Sequence, residues 1–120
     1  MTTAWPVEDV EETDAILSAR ARADAANPVF GGHYPGFAIL PGLYLVEYVN
    51  ATVRARRGRV RAVALDKIKF LRPVYPGDEL SIRAELSESD GGLLACSATV
   101  RVEGELVAEV VLHYAPGGGS

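Results

Sequence analysis

One stretch of this 120-residue chain reads as helix, and it is apolar on nearly every side. Residues 43–57, LYLVEYVNATVRARR, carry apolar side chains all round their first two turns. A helix of that kind must be buried rather than laid on a surface. Its ends are marked. Pro41 stands at or just before the first turn, where a missing N–H does no harm. Arg54, Arg56 and Arg57 complement the negative end of the helix dipole, and Gly58 is a natural stop.

What must wrap this helix reads as strands. Residues 13–25, TDAILSARARADA, alternate with period two. Ala15, Leu17, Ala19, Ala21 and Ala23 fall on one side, and Ile16, Ser18, Arg20, Arg22 and Asp24 on the other, which predicts a strand. After Gly58 a strand runs from about Arg59 to Asp66 and continues through KIKFLRPV with a bend. Turns at 76–78 (PGD), 89–92 (SDGG) and 103–104 (EG) separate ELSIRAEL, LLACSATVRV and ELVAEVVLHY. Short turns favour antiparallel pairing. A curved antiparallel sheet with one apolar face needs a cover, and this helix is the candidate.

The chain length favours a single domain over 1–115, with PGGGS at 116–120 as a loose tail. A core of this size is marginal alone, so pairing with a second copy would help it. The net charge of −4 argues against general nucleic-acid binding. No apolar run is long enough to span a membrane, and the acidic start lacks signal-peptide order. Cys96 is the sole cysteine, so no internal disulfide is possible and a reducing, cytoplasmic setting is expected.

Residues 27–42, NPVFGGHYPGFAILPG, hold three prolines and four glycines and form no regular element. The segment is nevertheless rich in apolar side chains, and ordered loops of this length are often functional. His33 lies inside it. Taken alone, His33 reads as a loop histidine bonded to nearby backbone rather than as a catalytic group. Glu47 is the odd residue in the helix. A buried carboxyl must be paired, hydrogen-bonded or protonated, and a protonated carboxyl suits a general acid. It reads equally as one residue on a narrow exposed stripe. Gly42 precedes the first helical turn, whose unpartnered amides would polarise a carbonyl; it would also simply permit a tight entry after Pro41. His113, near the end of the last strand, reads as an edge or surface histidine.

The run GHYPGFAILPGLYLVE (32–47) resembles the signature of the 3-hydroxyacyl-[acyl-carrier-protein] dehydratases of fatty-acid synthesis and their polyketide relatives. His33 and Glu47 are fourteen apart, with Pro41-Gly42 between them. FLRPVYPGDEL (70–80) is similar to a second stretch of that family. The resemblance covers about residues 27–115. It implies an α+β hot-dog fold, a long central helix wrapped by a curved antiparallel sheet. It implies dehydration of a 3-hydroxyacyl thioester to the trans-2-enoyl thioester. His33 would remove the C2 proton, Glu47 of a partner subunit would protonate the leaving hydroxyl, and the Gly42 amide would hold the thioester oxygen. No metal or redox cofactor is implied; the substrate rides on a phosphopantetheine arm. Glu rather than Asp at position 47 points to the branch that dehydrates without isomerising.

The sequence departs from the family in places. Ala38 stands where a second proline is common, and Ala51 where a glutamine helps order the site. The usual His-Arg-Tyr-Pro stretch ahead of His33 is missing, which suits a stand-alone dehydratase of a specialised polyketide or polyene pathway. An acyl tunnel along the helix would draw on Phe30, Phe37, Ile39, Leu40, Leu43, Val46 and Phe70, with Tyr34 at its mouth, although the same residues also suit a plain core. An acidic acyl carrier protein would dock on a basic surface, from Lys67, Lys69 and Arg72 or from Arg54, Arg56 and Arg57. The expected assembly is a homodimer or a heterodimer with a related subunit. The alternative activities are a hot-dog thioesterase, or one subunit of a heterodimeric dehydratase.

Overall fold

The computed structural model describes residues 5–23 and 42–117. His33, Phe30, Tyr34, Phe37, Ile39, Leu40 and Pro41 lie outside the described residues. Six strands, one α-helix and a single 3-10 turn (Asp90–Gly92) are described: β1 (Glu8–Thr13), β2 (Ile16–Arg22), α1 (Leu43–Arg57), β3 (Val60–Phe70), β4 (Glu79–Glu88), β5 (Leu94–Val102) and β6 (Glu105–Pro116). The strands form one antiparallel sheet in the order β1-β2-β4-β5-β6-β3, and α1 packs against it.

The alternation expected around β2 holds. Leu17, Ala19, Ala21 and Ala23 are buried, while Ser18, Arg20 and Arg22 face solvent. The strand is shorter than the period suggests, because Asp14 and Ala15 both adopt positive φ (51° and 63°) and turn the chain back into β1. A two-residue turn with both centres at positive φ matches the twist of antiparallel strands. The same device joins β5 to β6 at Glu103 and Gly104 (φ 51° and 80°). The turn at 76–78 is tied to the end of β2: the Ala23 amide donates to the Asp78 carbonyl at 2.9 Å, and the Gly77 amide donates to the Ala23 carbonyl.

The inward side chains of β4 (Leu80, Ile82, Ala84, Leu86) interleave with those of β5 (Cys96, Ala98, Val100) and β6 (Val110, Leu112, Tyr114). Alanines on β2, β4 and β5 leave room for the helix to lie close to the sheet. Leu45, Tyr48, Val49 and Val53 of α1 fill that room and are fully or almost fully buried. Burying one such aliphatic side chain stabilises the fold by roughly 1.5–3 kcal/mol. Gly58 ends the helix as expected, at φ 66°, its amide donating to the Arg54 carbonyl at 2.9 Å.

Three expectations need correction. Glu8–Thr13 is a strand, whereas the sequence there shows only acidity. The strand after Gly58 stops at Phe70 and is interrupted by shifts of register between Ala62 and Ala64 and between Leu65 and Lys67, after which Val74 makes an isolated bridge. Of the two readings of His113, an edge or a surface histidine, the edge one fails because β6 lies between β5 and β3; the side chain is partly exposed and its Nδ1 meets the Asp66 carboxylate at 2.6 Å.

Candidate active site on the central helix

Glu47 sits on the one face of α1 that the sheet does not cover. The helix turns Leu45, Val49, Thr52 and Val53 into the core, which leaves Glu47, Ala51, Arg54 and Ala55 on the opposite side. Glu47 is half-buried there. It is neither in the sealed core nor on an open stripe, so both readings of the sequence are partly met. The cover comes from the N-terminal segment: Trp5, Pro6 and Val7 form a cleft with Glu47, Ala51, Arg54 and Ala55.

Aromatic contacts and charges fix that segment. The Trp5 ring lies 4.9 Å from Tyr44, tilted at 58°, and meets Tyr48 edge-on at 5.3 Å and 84°. Such geometries are preferred between aromatic quadrupoles. Further along, Arg56 Nη2 donates to the Val10 carbonyl at 2.8 Å, and Arg57 grips Glu12 with two hydrogen bonds of 2.8 and 2.6 Å. The Arg57 hydrogen bonds hold the Glu12 carboxyl below its ordinary range, against an opposing effect of desolvation.

At the start of the helix, Gly42 takes an αR backbone and accepts from the Leu45 amide at 2.9 Å. The Phe70 ring lies directly over it: a Cβ at position 42 would stand 2.8 Å from Phe70 Cζ. Of the expected tunnel residues that are described, Phe70 and Leu43 lie at this end of the helix and are substantially exposed, while Val46 belongs to the buried core.

Behind Glu47, one turn along the helix, Asn50 is buried. It accepts a 2.5 Å hydrogen bond from the Tyr114 hydroxyl of β6. Burial holds the Tyr114 phenol well above its ordinary range; Cys96 and Glu47 add to the rise and Arg54 opposes it. Tyr114 is therefore a neutral donor at any physiological pH. Sequence patterning passed over Trp5, Asn50 and Tyr114; the polar Asn50 inside an apolar helix was the available signal.

The two basic clusters separate in the structure. Arg56 and Arg57 are turned onto the N-terminal strand, and Arg54 Nε donates to the Val60 carbonyl at 3.2 Å. Lys67 and Arg72 pair with Glu109 and Glu105 at 3.1 and 2.8 Å on the sheet surface. Lys69, next to Phe70, has no ion-pair partner among the described residues. Among the described residues no group of three or more His, Cys, Asp or Glu could hold a metal, and no helix is long and apolar enough to cross a membrane.

Residues 8–108 match the ApeI-like dehydratase family. The chain belongs to that family. Among relatives of this ApeI-like dehydratase, the 3-hydroxyacyl-[acyl-carrier-protein] dehydratase FabZ of Listeria welshimeri is 30 % identical over 117 residues, spanning 91 % of this chain and 78 % of the relative. FabZ of Syntrophotalea carbinolica is 38 % identical over 122 residues, spanning 92 % and 82 %. The dehydratase heterocomplex ApeI:P of Xenorhabdus doucetiae shares the fold at a TM-score of 0.74 and 16 % identity, covering 91 % of this chain and 96 % of that one. The same hot-dog fold occurs in a Streptococcus pneumoniae protein described as a hypothetical thioesterase with coenzyme A (TM-score 0.67, 14 % identity, covering 88 % and 82 %). For this ApeI-like dehydratase the fold alone thus does not choose between the two chemistries; the family match does.

Proposed function

We propose that this chain removes water from a 3-hydroxyacyl thioester borne on the phosphopantetheine arm of an acyl carrier protein, giving the trans-2-enoyl thioester. The observation that carries the reading is the half-buried Glu47, set in a cleft on the one face of the central helix that the sheet does not cover, fourteen residues after His33. His33 takes the C2 proton, and the C–H electrons become the new C2–C3 double bond. The C3–O bond breaks as Glu47 gives its proton to the departing hydroxyl, which leaves as water. Charge that builds on the thioester oxygen meets the Gly42 amide at the positive end of the helix. Acid and base balance the reaction between them, so it calls for neither metal nor redox cofactor.

The assembly we propose is a dimer joined along β3, with a second copy or a related subunit. β3 is a sheet edge of eleven residues, and it exposes Val63, Leu65 and Phe70. A long apolar edge of this kind is a template for pairing. His33 of one subunit then works with Glu47 of the other. The carrier protein docks on Lys67, Lys69 and Arg72, which flank Phe70 in the chain; at the far end of the helix Arg56 and Arg57 hold β1 instead, and Arg54 is bonded to the Val60 carbonyl. A cytoplasmic setting fits the buried, unpaired Cys96.

A 3-hydroxyacyl thioester offered to the purified chain tests the activity. Dehydration gives absorbance of a conjugated enoyl thioester, and hydrolysis gives free thiol. Mixing His33→Ala and Glu47→Gln chains tests the assembly: random exchange restores up to about a quarter of the sites. Exchange without recovery would place both residues within one chain.

A further inference from the structure

The cleft beside Glu47 has a direction. Glu47 and Arg54 stand seven residues apart on α1, which is about 10 Å along its axis. Between them the floor is Ala51 and Ala55, two of the smallest side chains, and the wall is Trp5, Pro6 and Val7. The cleft is thus apolar along its length, with a carboxyl at one end and a guanidinium at the other. Its wall is fixed rather than a loose flap. Trp5 is clamped against Tyr44 and the fully buried Tyr48, and the following strand is tied to the helix through Arg56 and Arg57.

The geometry points to Trp5 as a specificity-determining residue, one that sets how much acyl chain beyond C3 the enzyme accepts. This rests on the assignment of Glu47 to the 3-hydroxyl. With that hydroxyl at Glu47, C2 and the thioester lead toward the base. The carbons beyond C3 are then the apolar part of the substrate left to enter the apolar cleft. Trp5 limits its width, and Arg54 ends it with a charge that an alkyl chain cannot solvate. Chains longer than the span from Glu47 to Arg54 meet that charge or the indole.

The test is a series of 3-hydroxyacyl thioesters of increasing chain length on one carrier, read as the ratio of kcat/KM for long over short substrates. That ratio does not depend on how much enzyme is folded, so a merely structural role for Trp5 does not move it. Trp5→Ala raises the ratio about tenfold, the scale of a methylene or two in an apolar pocket. Trp5→Phe keeps it near the wild-type value, and Ala55→Leu, which fills the cleft from the helix side, lowers it. An unchanged ratio in both Trp5→Ala and Ala55→Leu overturns the inference. Should Trp5→Ala fail to fold, Ala55→Leu decides alone, and an unchanged ratio there is equally fatal. Glu47→Gln separates the two levels: if it retains dehydration, the reading of the site has failed. If it abolishes dehydration while the ratios stay fixed, only the role of Trp5 has.

Discussion

The Phe70 ring covers Gly42 so closely that a methyl group at position 42 would stand 2.8 Å from its Cζ atom. The contact joins the end of β3 to the start of the helix. It explains a glycine there without any appeal to φ, which is helical at −57°. The ring is 45 % exposed and can swing outward. Gly42→Ala is therefore expected to cost only about 1 kcal/mol of stability, the low end for overpacking. Adding Phe70→Ala should remove that cost, giving a double-mutant coupling above about 0.5 kcal/mol in urea melts. A cost that persists without the ring would put the constraint elsewhere.

The Tyr114–Asn50 hydrogen bond crosses from sheet to helix inside the core. Tyr114→Phe leaves the Asn50 carbonyl oxygen buried without its donor, at a cost of about 1–3 kcal/mol. Asn50→Ala strands the hydroxyl in the same way. The double variant should lose clearly less than the two single losses added together. Strict additivity in denaturant unfolding would mean that the pair does not act as a unit.

Acid should loosen the N-terminal strand first. Glu12 has its folded pKa lowered below the ordinary 4.5, chiefly by the Arg57 hydrogen bonds. The stabilisation is then complete above 4.5 and is lost as pH falls below that value through the folded pKa. Glu12→Gln should lower the urea midpoint at neutral pH and make no difference well below pH 4.5. Equal effects at both pH values would argue that the contact is not ionic.

Cys96 should be inert while the chain is folded. Burial pushes its thiol from the ordinary 9.0 up to about 12, and the thiolate is the reactive form. Native protein at mildly alkaline pH should resist alkylation, and unfolded protein should react at once. Stability should hold below pH 9.0 and decline as pH rises from 9.0 toward 12, because only the unfolded chain ionises there. Rapid native-state labelling would show that the core around Cys96 opens.

How far the sequence spoke for the fold varied with how regularly each element is half-buried. β2 alternates cleanly because one face meets the core and the other meets water, so its period was readable. β1 was not: in EDVEET only Val10 is even half-buried, and a bulge with Asp9 at φ 53° breaks the pairing. β3 lost its period to two shifts of register. The helix was readable from its all-round apolarity, which also made Glu47 conspicuous. What no local pattern gives is the company Glu47 keeps. Trp5 lies forty-two residues away in the chain and reaches the cleft because its ring packs on Tyr44 and Tyr48 while Arg56 and Arg57 tie β1 to the helix. The basic clusters looked alike for the same reason, since only the fold shows that Arg56 and Arg57 are bound to β1, that Lys67 and Arg72 pair with Glu109 and Glu105, and that Lys69 has no ion-pair partner among the described residues.

The most direct test follows a carrier-bound 3-hydroxyacyl substrate by mass spectrometry with the wild-type chain and with Glu47→Gln. The wild type should convert it to the species lacking one water, still attached to the carrier, and Glu47→Gln should leave it unchanged. Release of the acyl group as free acid, or undiminished loss of water by the Glu47→Gln enzyme, would contradict the account.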